Sequence, residues 1–160
     1  MTANYFESTV KYMKVNEDGR EKKVAEKYLI DAMSYTETET RIIKEMEIIV
    51  KGDFYIPSIK KSTIKEVIES EDENDDKYYL AKVAIIDADE VSGREKSTTD
   101  NYLVAAANLD RALERLNESL NTFVVPVESI SVADSKIIEV FHYIPNEEIP
   151  GNLKPLSDEK

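Results

Sequence analysis

The chain contains no cysteine and only one histidine. Without cysteine it can form no disulfide, no thiolate nucleophile and no cysteine-ligated zinc or iron–sulfur centre. The single His142 has no cysteine to activate, and no serine lies in a Gly-x-Ser-x-Gly elbow. No Walker phosphate loop and no dinucleotide-binding glycine motif occurs either. We therefore expect a protein that is not an enzyme and that uses no cofactor.

Long apolar segments are also missing. No apolar run approaches the length of a membrane-spanning helix, and Met1-Thr2-Ala3-Asn4 does not begin a signal peptide. The acidic Asp72-x-Asn74-x-Asp76 resembles the start of a calcium loop, but Lys77 stands where that loop needs glycine. These absences predict a soluble, cytoplasmic protein with no membrane contact and no metal.

The net charge of −12 is unevenly distributed. Residues 1–70 are nearly balanced, with 12 basic and 13 acidic side chains, whereas residues 71–76 alone carry −5. Residues 77–143 carry 7 basic and 11 acidic side chains, and the tail 144–160 adds −2. Because much of the excess lies in a linker and a tail, the charge weakens a nucleic-acid-binding hypothesis without excluding it.

An internal repeat is the clearest positive feature of the sequence. Gly19-Arg20-Glu21-Lys22 leads into Tyr28-Leu29-Ile30-Asp31-Ala32, and at an offset of 74 Gly93-Arg94-Glu95-Lys96 leads into Tyr102-Leu103-Val104-Ala105-Ala106. The flanking segments match at an offset of 73, so the length differences fall in loops. We predict one domain over 1–143, made of repeats 1–70 and 77–143 that are joined by the acidic, solvated linker 71–76. Residues 144–160 are predicted to form a flexible C-terminal tail.

Each repeat is predicted to be a strand–strand–helix–strand unit. The turn glycines Gly19 and Gly93 indicate hairpins, and Ser34 and Asn108 have the positions of helix caps. The last extended segment of the first repeat is interrupted near Pro57 and near Lys61-Ser62, which indicates a bulge or a short second hairpin. The fold class is therefore α+β, a tandem duplication with antiparallel sheets, two helices and an internal pseudo-twofold axis. The predicted strands cover 4–15, 21–32, 54–69, 77–88, 96–107, 123–132 and 136–143, and the predicted helices cover 35–50 and 109–121.

Two sets of repeated side chains are candidates for binding. The turn residues are basic in both repeats, and a guanidinium matches the geometry of a phosphate. Aromatic residues open the first strand of each repeat, where they either stack on bases or face the core. Glu66 and Glu139 also occupy equivalent positions, and they either meet near the pseudo-axis or point into water. The candidate binding residues are Arg20, Lys22, Arg94, Lys96, Tyr5 and Tyr78.

Three segments carry a resemblance to a known family. Tyr5-Phe6-Glu7-Ser8-Thr9-Val10-Lys11-Tyr12, Lys27-Tyr28-Leu29-Ile30-Asp31-Ala32 and Ser34-Tyr35-Thr36-Glu37-Thr38-Glu39-Thr40-Arg41-Ile42-Ile43 resemble domain-of-unknown-function family 4494. The resemblance spans residues 4–143 and implies an accessory protein of a phage or mobile element in a Bacteroides-type bacterium. The family often begins with Trp-Phe-x-Cys, and Tyr5-Phe6-Glu7-Ser8 departs from that pattern. The resemblance implies no activity and no catalytic residue.

These observations lead to one main functional hypothesis and two alternatives, with a metal-dependent hydrolase ranked last behind them. The aromatic strands and basic turns favour a protein that binds single-stranded nucleic acid. One alternative is sequestration of a small nucleotide signal between the repeats or in a homo-oligomer. The other is inhibition or assembly of a host or phage protein through an exposed strand edge.

Overall fold

A computed structural model of the chain describes residues 4–123 and 125–142. Eight strands and two helices follow one another in the order β1, β2, α1, β3, β4, β5, β6, α2, β7 and β8. Their bounds are Tyr5–Val15, Glu21–Asp31, Tyr35–Ile49, Phe54–Lys61, Ile64–Ile68, Lys77–Ala88, Glu95–Ala106, Leu109–Leu120, Val127–Asp134 and Ile137–Phe141. The α+β class and the two helices predicted from the sequence are confirmed. The predicted tail 144–160 lies outside the described residues.

Two long hairpins form the centres of two sheets. β1 pairs antiparallel with β2 from Tyr5↔Asp31 to Val15↔Glu21, and β5 pairs with β6 from Lys77↔Ala106 to Ala88↔Glu95. Gly19 and Gly93 turn the two hairpins with φ values of 84° and 74°, a conformation in which a side chain would be strained. The hairpin turns predicted at these glycines are therefore confirmed.

The predicted strand 54–69 is in fact two strands, and the two strands that end each half of the chain belong to different sheets. The first sheet has the order β3-β1-β2-β8, and the second has the order β4-β6-β5-β7. β4 directly follows β3 in the chain, but β3 belongs to the first sheet and β4 pairs with β6 of the second. In the same way β8 directly follows β7 of the second sheet and pairs with β2 of the first. Both of these pairs are parallel, so the sheets are mostly rather than entirely antiparallel. We call β4 and β8 the exchanged strands.

A serine marks each point at which the chain changes sheet. The amide of Ser62 donates to the carbonyl of Tyr5 at 2.8 Å, and the amide of Ser135 donates to that of Tyr78 at 3.3 Å. The Ser62 hydroxyl accepts from the amide of Ile64, and the Ser135 hydroxyl accepts from that of Ile137. These bonds satisfy backbone groups where the ladder stops, and they direct the chain toward the other sheet.

An arginine from each helix fixes the end of an exchanged strand. Arg41 of α1 donates to the carbonyl oxygens of Asp31, which ends β2, and of His142, which follows β8. Arg115 of α2 donates to the carbonyl oxygens of Ala105 and Glu69, at the corresponding ends of β6 and β4. One planar guanidinium therefore joins two parallel strands at each site.

Each helix covers one face of one sheet. The Ser34 hydroxyl accepts from the amide of Glu37 at 3.1 Å, and the Asn108 side chain accepts from the amide of Arg111 at 2.8 Å, which confirms both predicted caps. Apolar residues of α1 pack on the first sheet and those of α2 on the second, at a helical spacing. The fully buried residues of the two helices are Thr38, Ile42, Met46, Ala112 and Leu116.

The two sheets meet through a third apolar cluster. Tyr5 and Leu29 of the first sheet pack with Leu103 of the second, and Ile64 and Ile137 of the exchanged strands complete the contact. These residues lie near the ends of the hairpins that are far from the turns. The sheet faces nearer the turns are therefore left without an apolar cover among the described residues.

The acidic linker is only partly solvated, whereas its composition predicts a run of solvated charges. Asp75 is buried, and its carboxylate accepts from the Ser70 hydroxyl at 2.6 Å and from the Ala107 amide at 3.0 Å. Arg111 lies 3.5 Å from the same carboxylate. The hydroxyl of Ser70, with the Ala107 amide and Arg111, holds the pKa of Asp75 below its ordinary value although burial opposes the shift. The linker is thus attached to the second half of the chain by one carboxylate.

Candidate functional site

The four basic residues predicted at the turns lie at the tips of two separate hairpins. Arg20 is exposed over 85% of its side chain and lies 3.6 Å from Asp18. Lys22 pairs with Lys14 next to the same turn. In the second hairpin, Arg94 and Lys96 border an open depression of about 610 Å³ that also contains Asp89 and Glu95. Each arginine therefore has acidic neighbours, and neither lines a closed nucleotide pocket in the described part of the chain.

The two predicted aromatic residues lie at the opposite ends of the hairpins. Tyr5 is buried and Tyr78 is half-buried, and both belong to the cluster between the sheets. The Tyr78 hydroxyl donates to Glu69 at 3.2 Å. Because Tyr5 precedes the turn by almost the whole length of β1, it lies about 30 Å from Arg20 along the hairpin. The structure therefore does not bring the predicted tyrosines and arginines into one site.

The single histidine joins the ends of the two exchanged strands. His142 Nε2 lies 2.5 Å from Glu69 Oε2, and the two residues occupy equivalent positions in the two repeats. Glu139 lies close to this pair, and its pKa is raised by the loss of solvent around it and by Glu69. Glu66 and Glu139 are both exposed and lie on strands of different sheets. The Glu69–His142 contact therefore joins the ends of strands from the two sheets.

The face of the first sheet that α1 does not cover carries several lysines. Residues that pair across strands share a face. Lys11 pairs with Ala25 and Tyr55, and Met13 pairs with Lys23. Further from the turn, Lys27 pairs with Thr9 and lies 3.7 Å from Glu7. Lys11, Met13, Lys23, Ala25 and Tyr55 therefore form one surface, which we call the open face.

A β-bulge places Tyr55 on the open face. Thr9 pairs with Ser58, but two residues later Lys11 pairs with Tyr55, so β3 contains one extra residue next to Pro57. A regular ladder would put Ile56 opposite Lys11. Instead Ile56 packs against the helix-side core, and Tyr55 stays 51% exposed beside Lys11. The bulge predicted near Pro57 is confirmed, and its consequence is an aromatic ring among lysines.

A groove of about 330 Å³ lies at the turn end of the open face. Its walls are mainly apolar, and Lys11, Lys23 and the carboxylate of Asp53 also line it. Tyr12 lines the groove and also packs against the helix-side core, and the hydroxyls of Tyr12 and Tyr28 both donate to one oxygen of Glu26, at 2.9 and 2.8 Å. Burial and the Glu26 carboxylate raise the pKa of Tyr12 to about 12, so this ring is held neutral. The residues that line the groove are Lys11, Tyr12, Met13, Lys23, Asp53, Phe54 and Tyr55.

The second sheet has the same pairing pattern without these side chains. At offsets of 73 and 74, Ala84 occupies the position of Lys11, Ser97 that of Lys23 and Glu128 that of Tyr55. Ala84 pairs with Glu128 as Lys11 pairs with Tyr55. The backbone of the second sheet therefore repeats the open face, but its chemistry differs. The open face is a property of the first half of the chain alone.

The open-face residues were not predicted from the sequence. The prediction favoured positions at which both repeats carry similar side chains. Lys11, Lys23 and Tyr55 have no basic or aromatic counterpart in the second repeat. The available signal was the charge balance, since residues 1–70 hold 12 of the 21 basic side chains. The alternation of side chains along a strand puts Lys11 and Met13 on one face. Only the register between strands shows that Tyr55 lies next to them.

A second apolar groove lies between α2 and the edge strand β7. Its volume is about 280 Å³, and Leu109, Leu113 and Ile130 are each exposed over roughly half of their surface. An edge strand with exposed apolar neighbours can accept a strand from another chain. Binding of another protein thus stays a prediction, and nothing on this groove indicates the occupant.

Two further classes of site are absent from residues 4–123 and 125–142. No group of three or more histidine, aspartate or glutamate side chains is arranged to hold a metal ion there. No helix in that part of the chain is long and apolar enough to cross a membrane.

The fold and the open face define an α+β protein with two strand-exchanged sheets, one of which presents lysines around an exposed aromatic ring. Residues 4–143 match the family described as a domain of unknown function (DUF4494). The match covers most of the chain, so the chain belongs to this family. No curated protein and no solved structure matches it.

Proposed function

We propose that the chain is a non-enzymatic protein that binds single-stranded nucleic acid on the open face of its first sheet. The observation that carries the proposal is that Lys11, Lys23 and the exposed Tyr55 ring line one groove. Single strands bind where lysines follow the phosphates and aromatic rings stack on the bases. The proposed binding residues therefore lie on one sheet face, whereas the basic residues predicted from the sequence lie at the two turns.

The charge distribution supports this choice of surface. Residues 11–23 of the first hairpin contain five basic and three acidic side chains, while residues 87–96 of the second contain two basic and four acidic ones. A polyanion is therefore attracted to the first hairpin and repelled by the second. The large net negative charge lowers affinity at a distance, so we expect binding that is selective for this face rather than tight.

The biological setting is also a proposal. The resemblance of Tyr5–Tyr12 and of the following segments to the family suggests an accessory protein of a phage or mobile element, acting in the cytoplasm of a bacterial host. The surface proposed for this role is the groove, which is lined by two lysines, two tyrosines, one methionine, one phenylalanine and one aspartate.

Fluorescence anisotropy with a labelled single-stranded DNA of about 30 nucleotides tests the proposal. We expect affinity to fall with salt, with a slope of about 0.7 per phosphate contact. Lys11→Ala/Lys23→Ala should weaken binding and reduce that slope by about 1.4. The matched control is Lys82→Ala/Lys96→Ala, which removes the same charge from the second sheet and should bind as the unchanged protein does. Equal losses in the two variants, or no binding of the unchanged protein, would overturn the proposal.

A further inference from the structure

We infer that the groove on the open face takes one unpaired base and selects guanine. This inference rests on the proposed function, because it concerns the ligand of the same surface. Three features of the groove carry it: its size, its apolar walls and the free carboxylate of Asp53.

The size of the groove suits a single base. Its volume of about 330 Å³ lies at the lower end of the range for ligand pockets, about 300–1,000 Å³. Met13 and Tyr55 are each about half exposed there, at 49% and 51%. A thioether and a phenol ring are both suitable surfaces for the face of a base. Lys11 and Lys23 stand beside these walls, where the phosphates that flank a bound base would pass.

The carboxylate of Asp53 determines which base fits. It lies just before β3, is exposed, and makes no ion pair within the described part of the chain. An ionised carboxylate only accepts hydrogen bonds, and its two oxygens can accept from two parallel donors. Guanine offers such a pair on its Watson–Crick edge, the N1–H and the 2-amino group. Adenine and cytosine offer one amino group, and thymine places carbonyl oxygens on both sides of its only donor.

The 2-amino group of guanine is therefore the decisive contact. Hypoxanthine has the same ring, the same carbonyl and the same N1–H, but it lacks this amino group. The difference in affinity between guanine and hypoxanthine therefore measures one hydrogen bond, from the 2-amino group to the Asp53 carboxylate. We expect this hydrogen bond to change the affinity about fivefold to tenfold. Stacking on Tyr55 and contacts with the lysines are the same for both bases.

The test uses the full-length protein and 12-nucleotide oligothymidylates in which one central position is guanine, hypoxanthine, adenine, cytosine or thymine. Affinities are measured by anisotropy at one salt concentration. We expect guanine to bind about fivefold to tenfold more tightly than hypoxanthine. Asp53→Asn should bring that ratio close to one, and it should raise the affinity for all five oligonucleotides alike because it removes a negative charge beside the phosphates. Asp87→Asn, an equal charge change on the second hairpin, should keep the ratio.

The outcomes separate the inference from the proposed function. Equal affinity for all five oligonucleotides, with binding that still depends on Lys11 and Lys23, would overturn guanine selection and leave single-strand binding standing. A guanine preference that survives Asp53→Asn would also overturn the inference, since another group would then read the base. Failure to bind any oligonucleotide would overturn the proposed function and the inference with it.

Discussion

Arg41 and Arg115 occupy equivalent positions in the two repeats and hold the two exchanged strands in the same way. Arg41 joins the carbonyl oxygens of Asp31 and His142, and Arg115 joins those of Ala105 and Glu69. Each guanidinium bridges the end of a hairpin strand and the end of an exchanged strand that comes from the other half of the chain. Each exchanged strand is thus held at its end by one arginine, and the two ends meet through the Glu69–His142 contact.

Replacing either arginine should destabilise the protein. Arg41→Ala and Arg115→Ala each leave two strand-end carbonyls without their donor, so we expect the free energy of unfolding to fall by about 1–3 kcal/mol per variant. Lysine should not restore it, because a single ammonium group lacks the planar fork that reaches both oxygens. Urea denaturation followed by circular dichroism measures the change. Arg20→Ala, at an exposed turn, is the control and should stay within about 0.5 kcal/mol of the unchanged protein.

The buried Asp75 predicts a specific pH dependence of stability. Its pKa is lowered in the folded chain, so its contribution is present above the ordinary value of 3.8 and is lost as the pH falls through the lowered pKa. Asp75→Asn should reduce stability by about 2 kcal/mol at pH 7, as expected for a hydrogen-bonded buried carboxylate. The difference between the two proteins should shrink as the pH falls below 3.8. Asp76→Asn changes an exposed neighbour and should have little effect at any pH; an equal loss in both variants would contradict this account.

Tyr12 should ionise later than an ordinary tyrosine. Burial and the hydrogen bond to Glu26 raise its pKa from 10.0 to about 12. Because the neutral ring is favoured in the folded chain, this stabilisation is present below pH 10 and is lost as the pH rises through about 12. The ultraviolet absorbance of tyrosinate follows the titration. Glu26→Gln should move the high-pH step of this titration toward the ordinary tyrosine pKa of 10.0. An unchanged titration curve would show that Glu26 does not hold the ring neutral.

The hairpins and helices were predictable from the sequence because their signals are local. Gly19 and Gly93 supply the positive φ of the turns, and Ser34 and Asn108 supply the first acceptors of the helices. The strand exchange was not predictable. β4 and β8 are short, and a short parallel pair leaves no alternation that distinguishes one sheet from the other. The similar pairing of the two sheets agrees with the repeat, and the pseudo-twofold axis itself stays a prediction.

The candidate site also depends on contacts between strands that are distant in the sequence, and for this reason it could not be predicted. Repetition pointed to Arg20 and Arg94, which lie at the tips of different hairpins. The open face depends instead on three strands and a bulge, which bring Tyr55 of β3 beside Lys11 of β1 and into one groove with Lys23 of β2. The linker is a similar case. Its composition gives no reason to distinguish one acidic residue from another, but in the structure only Asp75 among them is buried.

The measurement that tests the central claim most directly is a map of photochemical cross-links to single-stranded DNA. A 5-iododeoxyuridine oligonucleotide is bound to the full-length protein, irradiated and digested with trypsin, and the cross-linked peptides are identified by mass spectrometry. The account predicts cross-links in residues 52–60, which contain Tyr55, and their loss in Lys11→Ala/Lys23→Ala. Cross-links confined to the second hairpin, residues 83–96, or cross-links that the lysine variant does not reduce, would contradict it.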